Sequence, residues 1–247
     1  QKEQKQNKKE LDNLLNAIKA GLFTKSTKTE LERLENQQEA IEAEIAKEKI
    51  NNAVVPADQI EAWILSFAKI KLTTKLMCMV KASAYGSGSI EVAQALQHYG
   101  CDYLAVAFVN EGVEIRQAGI KLTILVLDPM VSALHHMFNN QLEPEVCSFD
   151  FLDILIEEVR RHGLKHYPIH IKLDTGMHRA GFETADLEQL CSILNSQDHV
   201  EVRSIFSHLA AADEMSAEMD EFTLQQIQLF DRNSTYIKRS LPYGEAI

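Results

Sequence analysis

Residues 75–100 read KLMCMVKASAYGSGSIEVAQALQHYG. The apolar run Leu76-Met77-Cys78-Met79-Val80 has the length and composition of a buried strand, expected over about 75–82. Lys81 ends that run, and Ala82-Ser83-Ala84-Tyr85-Gly86-Ser87-Gly88-Ser89 follows as a small-residue loop. From Ile90 to Tyr99 apolar residues recur at helical spacing, and Gly100 closes the helix. The stretch is one strand–helix unit. A lysine at the carboxyl end of a buried strand is poorly explained by packing. Burial favours the neutral form of a lysine amine, and a Schiff-base nucleophile needs that form. The loop is therefore where chemistry with an aldehyde cofactor is expected.

The same texture continues outward from this unit. Further strands are expected at about 103–109, 121–127, 142–148, 167–174 and 202–209, with a helix from Glu111 to Ala118 closed by Gly119. Repeated strand–helix units imply a parallel sheet. About six units without a dinucleotide-binding glycine pattern favour a (β/α) barrel over a doubly wound sheet, and a complete barrel has eight strands. The expected fold is thus α/β: an incomplete (β/α)8 TIM-type barrel of about six strands over residues 71–247. A helix from about Ser216 to Lys238 is expected to cover the sheet with Phe222, Leu224, Ile227 and Phe230, capped by Asp213 and Glu214.

Residues 1–70 have a different character. Leu11, Leu14, Leu15, Ile18 and Leu22 recur at helical spacing around Gly21, an expected stop. Thr27 and Glu30 form a capping box for a second helix. Along it Leu31, Leu34, Gln38, Ile41 and Ile45 alternate in steps of three and four, a coiled-coil seam with one polar position. Pro56 breaks the pattern, and Ile60, Trp63, Ile64 and Phe67 mark a short helix. LDNLLNAIKAGLFTKSTKTELERLENQQEAIEAEIAKEK, followed by DQIEAWILSFAKI, resembles the coiled-coil region of large serine recombinases over about residues 8–70. That resemblance carries no catalytic residue, and an α-helical hairpin or coiled coil is the expectation.

Bulk properties narrow the function classes. A net charge of -11 over 247 residues argues against a nucleic-acid or anionic-membrane surface. Cys78, Cys101, Cys147 and Cys191 are widely spaced, which reads as thiols in a reducing compartment rather than a disulfide framework. No signal-peptide core and no apolar run of membrane-spanning length is present, so a cytoplasmic protein is expected.

The chemistry-bearing residues gather at the expected carboxyl ends of strands, where barrel active sites lie. In the fifth strand His170, Lys172 and Asp174 share one face, opposite Ile169, Ile171 and Leu173. Ser204, Phe206 and His208 share one face of the sixth. Buried polar groups without partners would cost several kcal/mol, so these faces are expected to point into a polar barrel mouth. Thr175-Gly176-Met177-His178-Arg179-Ala180-Gly181-Phe182 sets an arginine between glycines, and its planar fork suits a small carboxylate. His162, His166 and His170 have metal-like spacing, but Gly163 and Pro168 interrupt any helix, so no metal site is expected.

KLMCMVKASAYGSGS, DYLAVAFVNEGVEIRQAGI, HIKLDTGMHRAGF and SHLAAADE, in that order, resemble alanine racemase over about residues 71–236. The likeness is to fold-type III enzymes that use pyridoxal 5'-phosphate (PLP), particularly those fused behind a cell-wall ligase. It implies PLP-dependent interconversion of L- and D-alanine, supplying D-alanine for peptidoglycan. Lys81 would hold the cofactor and act as one of two acid–bases, and Tyr85 would bind its phosphate. Arg179 would bond the phenolic oxygen near the substrate carboxylate, His208 would stack on the pyridine ring, and Lys172 would be carbamylated to position Arg179. The resemblance also implies a homodimer and a second acid–base, a tyrosine from a carboxyl-terminal domain of the partner. With that domain and two strands lacking from these 247 residues, impaired racemisation is expected. The alternatives are a barrel-only PLP-binding protein and a non-enzymatic coiled-coil interaction module carrying a passenger racemase fragment.

Overall fold

The computed structural model describes residues 28, 30, 31, 33, 34 and 37, and 75–244 apart from 212, 214 and 215. The chain divides into two compact units, Gln1–Pro56 and Ala57–Ile247. In the first, all six described residues are helical, Leu34 is buried, and Arg33 ion-pairs with Glu30 at 2.8 Å. Leu31 and Leu34 are the two described positions of the expected seam; its remaining positions, the first helix and the helix after Pro56 lie outside the described residues.

The second unit is built on six parallel strands in sequential order: β1 (Met77–Met79), β2 (Tyr103–Val106), β3 (Thr123–Val126), β4 (Leu142–Val146), β5 (Tyr167–Lys172) and β6 (Val200–Phe206). The sheet is open, with β1 paired only to β2 and β6 only to β5 among the described strands. Helices α1 (Ser89–His98), α2 (Val109–Gln117), α3 (Leu134–Asn139), α4 (Phe149–Arg161), α5 (Leu187–Asn195) and α6 (Ala217–Ser240) alternate with the strands. This is the α/β arrangement expected of six barrel units.

Strand periodicity decides the two faces. Cys78 and Val80, Leu104 and Val106, Ile124 and Val126, and Ile169 and Ile171 are all buried. They join Leu96, Ile115, Met137, Leu155 and Leu190 from the helices in one core. Each such side chain contributes about 1.5–3 kcal/mol of burial. The alternate positions carry Met77, Met79, Tyr103, Glu143, Glu145, His170, Lys172, Ser204 and Phe206. At the amino-terminal side of the sheet Arg116, near the end of α2, donates to the carbonyls of Ile120, Leu122, Asn140 and Gln141 at 2.7–3.1 Å. One half-buried guanidinium thereby fixes the chain entering β3 and β4.

Three local expectations are corrected. β1 stops at Met79, so Lys81 lies beyond the strand rather than within it. Ser216, not Asp213, caps α6, its hydroxyl accepting from Met219 N at 3.2 Å, while Glu214 lies outside the described residues. The buried face of α6 is also more polar than expected: Gln226, Asn233, Ser234 and Ile237 are inside, whereas Leu224 and Ile227 are exposed. Gln226 explains the difference. Its amide accepts from Ala210 N at 2.9 Å and donates to His208 O at 3.0 Å, tying the loop after β6 to the helix.

Candidate active site

Parallel strands in register deliver their following loops to the same edge of the sheet, and the candidate residues emerge there. Lys81 follows β1, the Arg179 loop follows β5, and His208 follows β6. Lys81 is half-buried, while Tyr85, Arg179 and His208 are exposed. No hydrogen bond or ion pair among the described residues joins these four to one another. Their common address comes from topology.

The chain leaves Lys81 in an uncommon way. Ala82, Ser83, Ala84 and Tyr85 have φ of 51, 55, 50 and 55°, a full turn of left-handed backbone without a glycine. Non-glycine residues pay about 1–2 kcal/mol each there. Gly86 and Gly88 N–H groups close the turn on Ser83 O at 3.0 and 2.9 Å, and Ala84 N donates to Val80 O at 3.0 Å. Nothing in KASAY signals this conformation, since the positions lack glycine and asparagine.

The polar face of β5 meets partners as its alternation predicted. His170, 1% exposed, bonds Glu143 Oε2 through Nε2 and Ser204 Oγ through Nδ1, each at 2.6 Å. Lys172 Nζ donates to Glu145 Oε1 at 3.3 Å and stands 5.9 Å from the Phe206 ring centroid. Burial pushes the Glu145 carboxyl above the usual carboxylate range, and the Lys172 charge and hydrogen bond oppose that rise. Glu145 Oε2 is the one buried side-chain nitrogen or oxygen left without a hydrogen-bond partner among the described residues. Glu143 and Glu145 were not singled out from the sequence. The same period-two reading applied to Leu142-Glu143-Pro144-Glu145-Val146 would have found them.

The Arg179 loop is folded back on β5. Asp174 N donates to Phe182 O at 3.0 Å and Phe182 N to Lys172 O at 2.9 Å. Burial raises the Asp174 carboxyl, but the N–H groups of Gly176 and His178, at 2.8 and 3.1 Å, outweigh it and hold the group below its ordinary value. A depressed carboxyl stabilises the fold above its unfolded value of about 3.9 and loses that contribution as pH falls through the folded value. Protection against hydrogen exchange in residues 174–182, relative to the intrinsic rate at each pH, should therefore fall below about pH 4, and Asp174→Asn should remove that acid limb. An identical acid limb in the variant would assign it elsewhere.

The three spaced histidines separate. His162 contacts Glu158 O, His166 pairs with Glu201, and His170 is held by Glu143 and Ser204. No group of three or more His, Cys, Asp or Glu suited to a metal exists among the described residues. The four cysteines are free, with Cys78, Cys101 and Cys191 buried.

Comparison with known proteins gives this arrangement a family. The family described as "Alanine racemase, N-terminal domain" matches residues 57–245, beginning where the second compact unit begins. The chain belongs to this alanine racemase family. Among curated racemases it is similar to that of Synechocystis sp., 37% identical over 146 residues, covering 57% of this chain and 38% of the relative. The alanine racemase of Treponema denticola is 29% identical over 194 residues, covering 78% and 51%. The solved alanine racemase of Clostridium difficile 630 superposes with a TM-score of 0.63 at 32% identity, over 71% of this chain and 47% of that one. That of Corynebacterium glutamicum gives 0.67 at 29%, over 74% and 51%. The chain spans about half or less of the length of the racemases it matches. All of the candidate residues fall within the racemase-family match.

Proposed function

We propose that the second unit is a PLP-binding barrel of an alanine racemase, acting on L- and D-alanine. The observation that carries this reading is the Lys81 amine, set at the carboxyl end of β1 on a strained turn, inside the racemase match. The donor set fits the cofactor: a primary amine for its aldehyde, the exposed Tyr85 hydroxyl for its phosphate, and an arginine and a histidine at the same sheet edge. Bound there, PLP supplies the electron sink that lets the alanine α-proton leave. Lys81 holds the cofactor and moves that proton on one face of the substrate. Arg179 would hold the phenolic oxygen, and His208 would support the ring. Lys172, carbamylated or as the ammonium paired with Glu145, positions Arg179. Inversion needs an acid–base on each face, and the second is assigned to a residue outside this six-stranded sheet.

The serine-recombinase-like sequence pattern of residues 8–70 lies almost entirely outside the described residues. No helix among the described residues is long and apolar enough to cross a membrane. Free thiols suit a reducing compartment such as the cytoplasm; the homodimer and the supply of D-alanine to peptidoglycan rest on the racemase likeness alone.

The test is incubation with PLP, borohydride reduction and peptide mapping. A pyridoxyl adduct confined to Lys81 and lost in Lys81→Ala is the expected result. Labelling scattered over many lysines would sink the assignment.

A further inference from the structure

Glu111, on α2, reaches across to two other segments. Its Oε2 accepts from Ala107 N at 2.8 Å and Phe108 N at 3.0 Å, while Oε1 accepts from Ala82 N at 2.7 Å. The bond to Phe108 N, three residues back, is ordinary helix capping and needs a single oxygen. The bond to Ala82, 29 residues earlier in the chain, serves no capping purpose. It is made to the residue after Lys81, which is also the first of the four left-handed residues.

A backbone in this sparsely populated region persists only when its surroundings over-determine it. The later part of the turn is closed by its own N–H groups on Val80 O, Ala82 O and Ser83 O. Its first N–H goes instead to Glu111. The plane of the Lys81–Ala82 peptide sets ψ of Lys81 and hence how the turn departs from the lysine. A carboxylate acceptor makes a shorter and stronger bond than a neutral one.

We propose that Glu111 is a positioning residue for Lys81: its carboxylate locks the Lys81–Ala82 peptide at the start of the left-handed turn and so aims the Lys81 amine. This rests on the reading of Lys81 as the cofactor-binding lysine. Glu111 touches neither substrate nor cofactor in this role. It couples the loop after β1 to the loop after β2, so two strand ends move as one.

Glu111→Gln separates capping from positioning. The amide keeps one oxygen for Ala107 and Phe108, and turns an N–H group toward the Ala82 donor. The full chain would be compared with this variant by two measurements. The first is hydrogen exchange without cofactor. Exchange in a peptide spanning 81–88 should rise by about 10- to 100-fold, the equivalent of one hydrogen bond to a charged group, with β4 and β5 unchanged. The second is the rate of borohydride-trapped pyridoxyl adduct at Lys81, which should fall by a similar factor relative to surface lysines while the Tm holds. A general packing role would move the β4 and β5 exchange and the Tm as well. Should Glu111→Gln fail to fold, Glu111→Asp keeps a capping carboxylate one methylene too short for Ala82 and takes its place. Wild-type exchange at 81–88, or a wild-type Lys81 labelling rate in the variant, overturns the inference. Absence of Lys81 labelling in the wild-type chain instead overturns the functional reading, and the exchange measurement still decides whether Glu111 locks the turn.

Discussion

Lys172→Met is expected to lower the unfolding free energy by about 3–5 kcal/mol, the cost of stripping one partner from a buried ion pair. Glu145 is 3% exposed and Lys172 9%, so neither charge can turn to water. With Lys172 gone, Glu145 keeps both oxygens buried and has no partner for either. The second half of the experiment is Lys172→Met with Glu145→Met. Apolar side chains of similar volume in place of both ions should restore most of the loss, since replacing a whole buried pair is often neutral or stabilising. Urea denaturation of the wild type, both single variants and the double would give the coupling directly. The deficit of Lys172→Met also carries a pH signature. An acid whose folded value is raised penalises the fold when ionised, and the penalty fades as pH falls from the folded value toward the unfolded one, about 4.3 for glutamate. The gap between wild type and Lys172→Met should therefore narrow from neutral pH toward about pH 4. A gap that widens in acid, or a double variant no better than the single, would show that the pair is not what holds this face together.

The Lys172–Glu145 contact also shows what the sequence did and did not disclose. His170, Lys172 and Asp174 were legible as one polar face because strands alternate, and Ile169, Ile171 and Leu173 on the other face made the pattern clear. The partners of His170 and Lys172, Glu143 and Glu145, were equally available from the alternation along β4, with Leu142, Pro144 and Val146 on the other face. The left-handed turn was not legible. Ala82, Ser83, Ala84 and Tyr85 all prefer right-handed conformations, and the turn is closed by its own N–H groups together with the bond from Ala82 N to Glu111. On α6 the apolar spacing of Leu224 and Ile227 was real, yet Gln226 took the inward position because the loop carrying His208 needed its amide. Local pattern found the elements. Contacts between residues far apart in the chain shaped the site.

Gly181→Ala is expected to cost about 3 kcal/mol or more, beyond the 1–2 kcal/mol of a left-handed alanine alone. Gly181 has φ of +133°, and a Cβ added there would stand 2.5 Å from Asp174 N, 2.7 Å from Leu173 C and 3.1 Å from Lys172 O. Those are backbone atoms of β5 and its continuation, so no rotamer change relieves the overlap. The clash falls on the pairing that folds the Arg179 loop back, where Asp174 N bonds Phe182 O and Phe182 N bonds Lys172 O. Phe182 is buried and packs edge-on against Phe149 at 5.0 Å between ring centroids, so the loop cannot slide aside without opening the core. Gly119 supplies the control. Its φ is +87°, but nothing lies within 4 Å of an added Cβ, so Gly119→Ala pays the backbone term only. The difference between the two variants in denaturant midpoint, at equal m, reports the clash together with the larger backbone penalty at a φ of +133°. Gly181→Ala should in addition make residues 174–182 sensitive to protease, because the alanine pushes the arginine loop off the strand it closes upon. Equal losses in the two variants, with the loop still protected, would mean that close approach at Gly181 does not hold Arg179 in place.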